Sequence, residues 1–326
     1  MRDVAAEAKV SVMTVSRVLH NESLVADATR DRVLAAVEKL NFRRNEAARN
    51  LRLGREAGLI GLVVANIANP YYSELTLGVE AVMSAHDRRL IIANSAGSVE
   101  REEDLVSDFT SRRVEGLIVT PSGREQSFLH RLVREKLPLV LAGSPPVGVD
   151  ADCVLVDDFV GALDSTRRLI ELGSRRIGFL GNPPSLYTDA ERFRGYSAAL
   201  EEAGFEPTDR HVRRFTSDVE GYQQAAADML NDPQPPTAIF AANNRIALGV
   251  LRAVVAKGAD VLVACFDRIE VADLIGVPLI MVTFDADLLG RRSAELLMDQ
   301  INRPDDTTRR RLVIPTVLSE RNISAT

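Results

Sequence analysis

The sequence is poor in features that would point to an exported, metal-binding or membrane protein. It has only two cysteines, Cys153 and Cys265, with no CxxC pair and no neighbouring histidine, so neither a disulfide framework nor a zinc site is indicated. No apolar run approaches the roughly 18 residues of a membrane span. The chain opens on a charged amphipathic stretch rather than on a signal peptide. We therefore expect a cytoplasmic protein that holds no metal and enters no membrane.

The signatures of common α/β enzymes are also absent from the sequence. It contains no GxGxxG, no GxxxxGK[ST] and no GxSxG, and none of its lysines follows glycine in a phosphate loop. Its four histidines show neither HExxH nor any paired spacing. The acidic pair Asp157-Asp158 fits the end of a strand and a helix cap better than an acid/base pair. We predict no catalytic residue and no cofactor.

Length and charge describe a chain of several parts. Its 326 residues, 46% of them hydrophobic, suit two or three domains with sizeable cores. The net charge of −6 argues against a general nucleic-acid binder, but the charge is uneven. From Lys39 to Arg55 six basic residues stand against Glu46 alone, which is where a phosphate backbone would be met.

The first stretch, DVAAEAKVSVMTVSRVLH from Asp3 to His20, combines two short helical patterns across a tight break. Apolar residues fall on one face of each segment, so two helices can pack on each other. The Ser11 hydroxyl can cap the second helix, and Lys9 and Val10 supply the turn. The outer face carries short side chains, hydroxyls and one guanidinium, from Val12, Met13, Thr14, Ser16 and Arg17. That chemistry suits base edges and phosphates in a major groove, although any small helical hairpin gives a similar pattern.

Two further segments follow before the pattern changes. Residues 27–40 form a third amphipathic helical pattern that closes a three-helix core, and we expect Asp27 to cap it in place of Ala26. The segment from Asn45 to Leu51 is short, amphipathic and flanked by arginines. Taken alone, it reads as a charged linker helix, and an isolated helix of this length is marginal.

From Leu59 onward, short β-branched runs alternate with amphipathic helical stretches. The strand-like runs are LIGLVVA, LIIAN, GLIVT, LVLA, CVLVD, RIGFL, HVRRF, AIFAA and VLVACF, and one of the predicted helices spans Glu125 to Lys136. Apolar strands separated by helices indicate parallel sheets covered on both faces. The number of units predicts an α/β fold of two doubly wound sheets, completed by a tail with a helix from Leu288 to Ile301 and two strands. Ligands in such folds lie beyond the carboxyl ends of the strands, so the cleft between the sheets is the expected site.

Several of these segments together resemble the lactose- and purine-repressor (LacI/GalR) family of bacterial transcription regulators. The matching motifs are TVSRVLHN with DVA before it, NxxARxL at Asn45 to Leu51, NPYY, RFRGY and CFD. The resemblance covers about residues 2–322. It implies a helix-turn-helix domain over 1–43, a hinge helix and linker over 44–57, and an effector-binding and dimerisation domain over 58–326, built from two parallel-sheet subdomains of the periplasmic-binding-protein type with chain crossovers.

The resemblance also implies how the protein meets DNA. A homodimer would place two heads on the half-sites of a pseudo-palindromic double-stranded operator. Leu51 would wedge between base pairs in the minor groove, and the hinge would order only when two copies meet on DNA. The implied DNA-binding residues are Ser11, Val12, Met13, Thr14, Ser16, Arg17, Thr29, Asn45, Arg49, Leu51 and Arg52. We expect a cytoplasmic repressor, associated with the nucleoid when it is bound to DNA.

For the cleft, the expected effector-binding residues are Tyr71, Tyr72, Thr120, Ser122, Arg192, Asn243, Asp267 and Phe284. The two tyrosines could stack on a sugar or base, or pack the start of a helix. Arg192 could grip effector hydroxyls or a carboxylate, with a surface ion pair as the alternative. We expect a sugar or nucleoside as the effector. The rival interpretation is a sugar-binding receptor without DNA binding, which should begin with a signal peptide and lack residues 1–55.

Overall fold

The computed structural model describes residues 1–19, 25–42, 58–207 and 209–323. The chain divides into two compact units, Met1–Ala57 and Gly58–Thr326. None of the helices within the described residues is long and apolar enough to cross a membrane.

The first unit is built on three helices: α1 (Arg2–Glu7), α2 (Val12–Leu19) and α3 (Asp27–Lys39). They enclose a small core of Val4, Ala5, Ala8, Val15, Val18, Val33 and Ala36. Lys9, with φ of 52°, makes the tight turn that lets α1 and α2 pack. The expected cap by Asp27 is wrong. Asp27 is the first residue of α3, and the N-cap is Ala26, without a side-chain hydrogen bond.

The second unit contains two six-stranded sheets. The first sheet consists of β1 (Leu59–Val64), β2 (Arg89–Asn94), β3 (Gly116–Val119), β4 (Leu139–Ala142), β5 (Asp152–Val156) and β11 (Arg311–Ile314). Its strand order is β11-β5-β4-β3-β1-β2, and every pair is parallel. The second sheet consists of β6 (Ile177–Gly181), β7 (Val212–Arg214), β8 (Ala238–Ala241), β9 (Leu262–Phe266), β10 (Leu279–Thr283) and β12 (Val317–Arg321). Its order is β12-β10-β9-β8-β6-β7, with β12 antiparallel to β10.

Helices cover these sheets. They are α4 (Pro70–Ala85), α5 (Val99–Ser111), α6 (His130–Arg134), α7 (Asp158–Glu171), α8 (Tyr187–Glu202), α9 (Val219–Leu230), α10 (Asn244–Lys257) and α11 (Ala286–Asn302), with short 3₁₀ turns at Ser127–Leu129, Asp209–His211 and Ala272–Leu274. The inner strands are almost continuously buried, as parallel sheets covered on both faces require, whereas the edge strands β2, β7, β11 and β12 are partly exposed. The predicted α/β class with two doubly wound sheets is therefore confirmed.

The chain passes between the two sheets three times. After β5 the chain leaves the first sheet, and the next helix, α7, packs on β9 and β10 of the second sheet. After β10 the chain returns to the first sheet, where α11 packs on β3, β4 and β5. It crosses a third time between β11, in the first sheet, and β12, in the second. Glycines let α4 and α11 touch: a Cβ at Gly290 would lie 2.1 Å from the carbonyl oxygen of Leu75. These crossovers join the two subdomains, called lobes below, on one side of the cleft.

The helix predicted from Glu125 to Lys136 is largely wrong. Only His130–Arg134 is α-helical, after the 3₁₀ turn. The buried Gln126 side chain donates to the Pro145 carbonyl (3.3 Å) and accepts from the Val147 amide (2.9 Å). These tertiary bonds hold Gln126 at φ of −133°, outside the helical region, so the helix begins later than the amphipathic pattern suggests.

Candidate functional site

In the first unit, five of the seven predicted DNA-binding residues that the structure describes lie on α2. The predicted cap is confirmed, since Ser11 Oγ accepts from the Thr14 amide at 3.1 Å. The same hydroxyl lies 2.9 Å from Thr14 Oγ1. Val12 and Met13 are 42% and 65% exposed, although both are apolar. Uncovered apolar side chains at the start of a capped helix are available for contact with thymine methyl groups.

Three other predicted residues of this unit, Ser16, Arg17 and Thr29, are also placed by the structure. Arg17 lies exposed in the last turn of α2, one helical turn beyond Met13, and Ser16 is half-buried. Thr29 is half-buried in the first turn of α3. Their roles on DNA stay predictions. The four hinge residues Asn45, Arg49, Leu51 and Arg52 lie outside the described residues.

In the second unit, a cavity of about 590 Å³ lies at the carboxyl ends of both sheets. All eight predicted effector-binding residues line it: Tyr71, Tyr72, Thr120, Ser122, Arg192, Asn243, Asp267 and Phe284. They come from loops of both lobes because parallel strands deliver their carboxyl ends to the same edge. The volume falls within the roughly 300–1,000 Å³ of small-molecule sites. The structure therefore brings the predicted set together, and what each residue binds stays a prediction.

Aromatic side chains form one wall of the cavity. The ring centroids of Tyr71 and Tyr72 are 4.7 Å apart, edge to face, and those of Tyr71 and Phe284 are 5.6 Å apart. Tyr71 belongs to the first turn of α4, whereas Phe284 follows β10, so this contact joins the two lobes. Burial raises the pKa of both tyrosines, which keeps their hydroxyls protonated and able to donate. Such a wall offers apolar faces and hydroxyls together, which suits a polyol or a base.

Arg192 is neither exposed nor in a surface ion pair. Its side chain is 7% exposed, and its Nε and Nη2 both lie 2.7 Å from Oδ1 of Asp158. Its Nη1 donates to the carbonyl oxygen of Ala242 at 2.5 Å, and its guanidinium lies 3.8 Å above the ring of Phe266. The surface ion pair is therefore excluded. The guanidinium is thus fixed by four contacts within the protein itself.

Three buried carboxylates surround that guanidinium. Asp158, Asp189 and Asp267 are 2%, 2% and 8% exposed. Burial raises the pKa of each, to about 7 for Asp158, against the lowering effect of Arg192. Burial lowers the pKa of Arg192, but the three carboxylates more than offset it and raise that pKa overall. Arg192 is thus a buried cation held among three acids, of which Asp189 and Asp267 line the cavity.

Two other predicted residues, Thr120 and Ser122, form hydrogen bonds within the protein itself. Thr120 Oγ1 accepts from the Ala65 amide at 3.0 Å and donates to the Val63 carbonyl at 3.2 Å. Ser122 Oγ lies 2.8 Å from Ser95 Oγ. Thr120 thus ties the loop after β3 to the end of β1, and Ser122 ties it to the loop after β2.

Asn243 behaves similarly but keeps one donor group. Its Oδ1 caps α10 by accepting from the Ile246 amide at 2.9 Å. Its amide nitrogen has no hydrogen-bond partner in the described part of the chain, so it can donate into the cavity. Asn243 is therefore better placed as a donor than as an acceptor.

A direct hydrogen bond also joins the lobes across the cleft. Nδ2 of Asn244, the first residue of α10, donates to Oδ1 of Asn69 at 2.9 Å. Asn69 Oδ1 also accepts from the Tyr71 amide and so caps α4. The N-termini of α4 and α10 thus meet at a single side-chain oxygen, which couples the two lobes.

Several polar residues of the cavity were not predicted from the sequence. Asn182 follows β6, and its main-chain and side-chain nitrogens donate to Asp189 at 2.7 and 3.2 Å. Tyr222 donates its hydroxyl to Asn182 Oδ1 at 2.9 Å, and Asn94 ends β2 on the opposite wall. Asn94 and Asn182 share a sequence signal, a polar side chain at the end of an apolar strand, that could have identified them.

Comparisons with known proteins agree with this geometry. A family model described as "Periplasmic binding proteins and sugar binding domain of LacI family" matches residues 57–323, and one described as "Bacterial regulatory proteins, lacI family" matches residues 1–45. The ribose operon repressor of Haemophilus influenzae is 29% identical, over 99% of this chain and 98% of its own length. The regulator GalS of Salmonella typhimurium is 30% identical, over 99% and 96%. The solved complex of the transcriptional regulator CelR with cellobiose is 30% identical, covers 97% of each chain and has a TM-score of 0.73. The chain therefore belongs to the LacI family of bacterial transcription regulators.

Proposed function

We propose that the protein is a homodimeric transcriptional repressor whose affinity for a pseudo-palindromic operator is switched by a sugar or nucleoside bound between its two lobes. The observation that carries this proposal is the cavity of about 590 Å³, closed by contacts from both lobes, in a chain that also has a capped helix-turn-helix. A ligand that contacts both lobes stabilises one arrangement of the lobes over another. In a dimer, that change of arrangement alters the spacing of the two DNA-binding heads.

The chemistry of the cavity supports a hydroxyl-bearing effector. Tyr71, Tyr72 and Phe284 offer stacking faces, while Asn243 and Arg192 offer fixed donors. Two relatives point in the same direction, since one is named a ribose operon repressor and another was solved with cellobiose. The stacking wall suits either a sugar or a base, so nucleosides belong in the same screen.

On the DNA side, we assign base contacts to Val12, Met13 and Arg17, and backbone contacts to the hydroxyls of Ser11, Thr14, Ser16 and Thr29. Val12 and Met13 can only meet apolar thymine methyls, so Arg17 carries most direct discrimination, about 1–3 kcal/mol for a good pair with guanine. In the hinge, Asn45, Arg49 and Arg52 contact the backbone and Leu51 the minor groove. The protein then acts in the cytoplasm, bound to the nucleoid when repression is on.

A gel shift on the DNA upstream of the gene tests this assignment. The full-length protein should retard that fragment more strongly than a scrambled one at the same salt concentration. Arg17→Ala should reduce the preference for the upstream fragment, whereas Arg52→Ala should weaken binding to both fragments and flatten the salt dependence. Equal losses on both fragments for both variants would contradict the division into base and backbone contacts.

The two rival functions make different predictions in the same assay. A receptor without DNA binding would not retard any fragment, although it would still bind a small ligand. An enzyme would convert the ligand during incubation, which chromatography of the recovered ligand would reveal. The proposal requires DNA retardation together with unchanged ligand.

A further inference from the structure

Asp158 has no role in the proposed function, although it contacts Arg192, which lines the cavity. Asp158 is the first residue of α7, directly after β5, where the chain crosses from one lobe to the other. It does not line the cavity. Its Oδ1 accepts from Nε of Arg192 at 2.7 Å and lies 2.7 Å from Nη2 in an ion pair, while its Oδ2 has no hydrogen-bond partner in the described part of the chain.

This pairing decides how many donors Arg192 keeps for a ligand. A guanidinium has five N–H bonds. Asp158 accepts one of them, from Nε, and the Ala242 carbonyl accepts a second, from Nη1, so three remain on the side chain that lines the cavity, and Nη2 also lies in ion-pair contact with Asp158. An unpaired arginine in a cavity usually selects a carboxylate or a phosphate, because its planar fork matches two anionic oxygens. In this protein the charge that would attract such an anion is already compensated.

The surrounding charges add to this compensation. Asp189 and Asp267, both buried, also face Arg192, so three acidic side chains stand around its guanidinium. Asp189 interacts with Arg214 as well, which leaves Asp158 and Asp267 as the acids that act on Arg192 alone. Arg245 and Asp218 also line the cavity, but they cancel each other in charge. A ligand that brings a further negative charge would meet repulsion where water is scarce, and a like charge within about 4–6 Å shifts an equilibrium roughly 10- to 1,000-fold.

We propose that Asp158 is a specificity-determining residue that makes the site select uncharged polyols and reject their carboxylate and phosphate derivatives. It does so by compensating the charge of Arg192 from outside the cavity lining, which leaves N–H groups of Arg192 for the neutral oxygens of a hydroxyl or carbonyl. This inference rests on the proposed function, because it concerns the effector of the same cleft. Asp158 is a positioning residue and does not touch the effector itself.

The test is a binding screen with matched pairs of neutral and anionic compounds. The probes are glucose with glucuronate, galactose with galacturonate, ribose with ribose phosphate, and uridine with uridine monophosphate. Thermal shift identifies binders and isothermal titration measures Kd, both at about pH 8, where the Asp158 carboxyl of pKa about 7 is ionised. We expect the neutral member of a binding pair to bind about 100-fold more tightly than its anionic counterpart.

Two variants then locate the source of the discrimination. Asp158→Asn keeps Oδ1 as an acceptor for Arg192 and removes the charge, so it should reduce the neutral-to-anion ratio about tenfold. Asp164→Asn is the matched control, because Asp164 lies on the same helix and pairs with Arg167 at 3.2 Å, but on the exposed surface. It should leave the ratio unchanged.

Distinct outcomes overturn the inference and the proposed function. An anionic member that binds the wild-type protein as tightly as its neutral counterpart overturns the inference without requiring any variant to fold. A ratio that Asp158→Asn leaves unchanged overturns the assignment to Asp158. If no compound of either class binds, the proposed function fails instead.

Discussion

The neutral Asp158→Asn variant should change how the stability of the protein depends on pH. Burial raises the pKa of Asp158 from an ordinary value of 3.8 to about 7, even beside Arg192. The folded state therefore holds a proton between about pH 4 and 7 that the unfolded chain has released. The resulting stabilisation is fully present below about pH 4 and is lost as the pH rises through 7. Asparagine has no such proton, so the variant lacks this loss.

The size of the effect follows from the single proton involved. One proton corresponds to at most about 1.4 kcal/mol for each pH unit within that window. For a unit of this size, about 1 kcal/mol corresponds to roughly 2–4 °C in Tm. Relative to Asp158→Asn, the wild-type Tm should therefore fall by up to a few degrees per pH unit between about pH 5 and 7.

Thermal unfolding followed by circular dichroism at several pH values measures this difference. Asp164→Asn, an exposed change on the same helix, should track the wild-type protein at every pH. If the variant instead becomes less stable than the wild-type protein as the pH rises, the attraction of Arg192 outweighs burial and Asp158 is ionised throughout. That result would contradict a raised pKa of Asp158 in the folded protein.

Three further changes probe other contacts. Gly290→Ala would drive a Cβ to within 2.1 Å of the Leu75 carbonyl, so it should cost about 1–3 kcal/mol of unfolding free energy in urea, whereas Gly276→Ala, which meets nothing within 4 Å, should cost little. Asn244→Ala removes the hydrogen bond between the lobes, about 0.5–1.5 kcal/mol, and should weaken effector binding about 2- to 13-fold by isothermal titration. Ser11→Ala removes the cap of α2 and should lower the free energy of unfolding of the first unit by about 1 kcal/mol, as measured by calorimetry of the full-length protein.

Much of the architecture could be predicted from the sequence because its signals are local. The apolar runs of β1, β3 and β8 are short, continuous and bounded by turns, which is the pattern of strands buried on both faces. Strand ends then identify cavity residues such as Asn243 and Asp267, since parallel strands carry their carboxyl ends to one edge. The three-helix head followed from the same periodic reasoning.

What the sequence could not reveal depends on contacts between distant residues. Asp158 and Arg192 are 34 positions apart, and nothing local distinguishes a buried pair from a surface one. The hydrogen bond from Asn244 to Asn69 spans 175 positions. Gln126 is pulled out of a helical pattern by a loop about 20 residues later. In each case tertiary hydrogen bonding overrides or completes a local preference.

We propose that a ligand bound in the cleft changes the affinity of the head for DNA. Fluorescence anisotropy on the labelled upstream fragment, with the full-length protein and a compound found in the binding screen, measures that coupling directly. We predict that a saturating neutral binder changes the Kd for the upstream DNA about 5- to 150-fold and leaves binding to scrambled DNA unchanged. A binder that occupies the cleft and leaves the Kd for the upstream fragment unchanged would contradict the account.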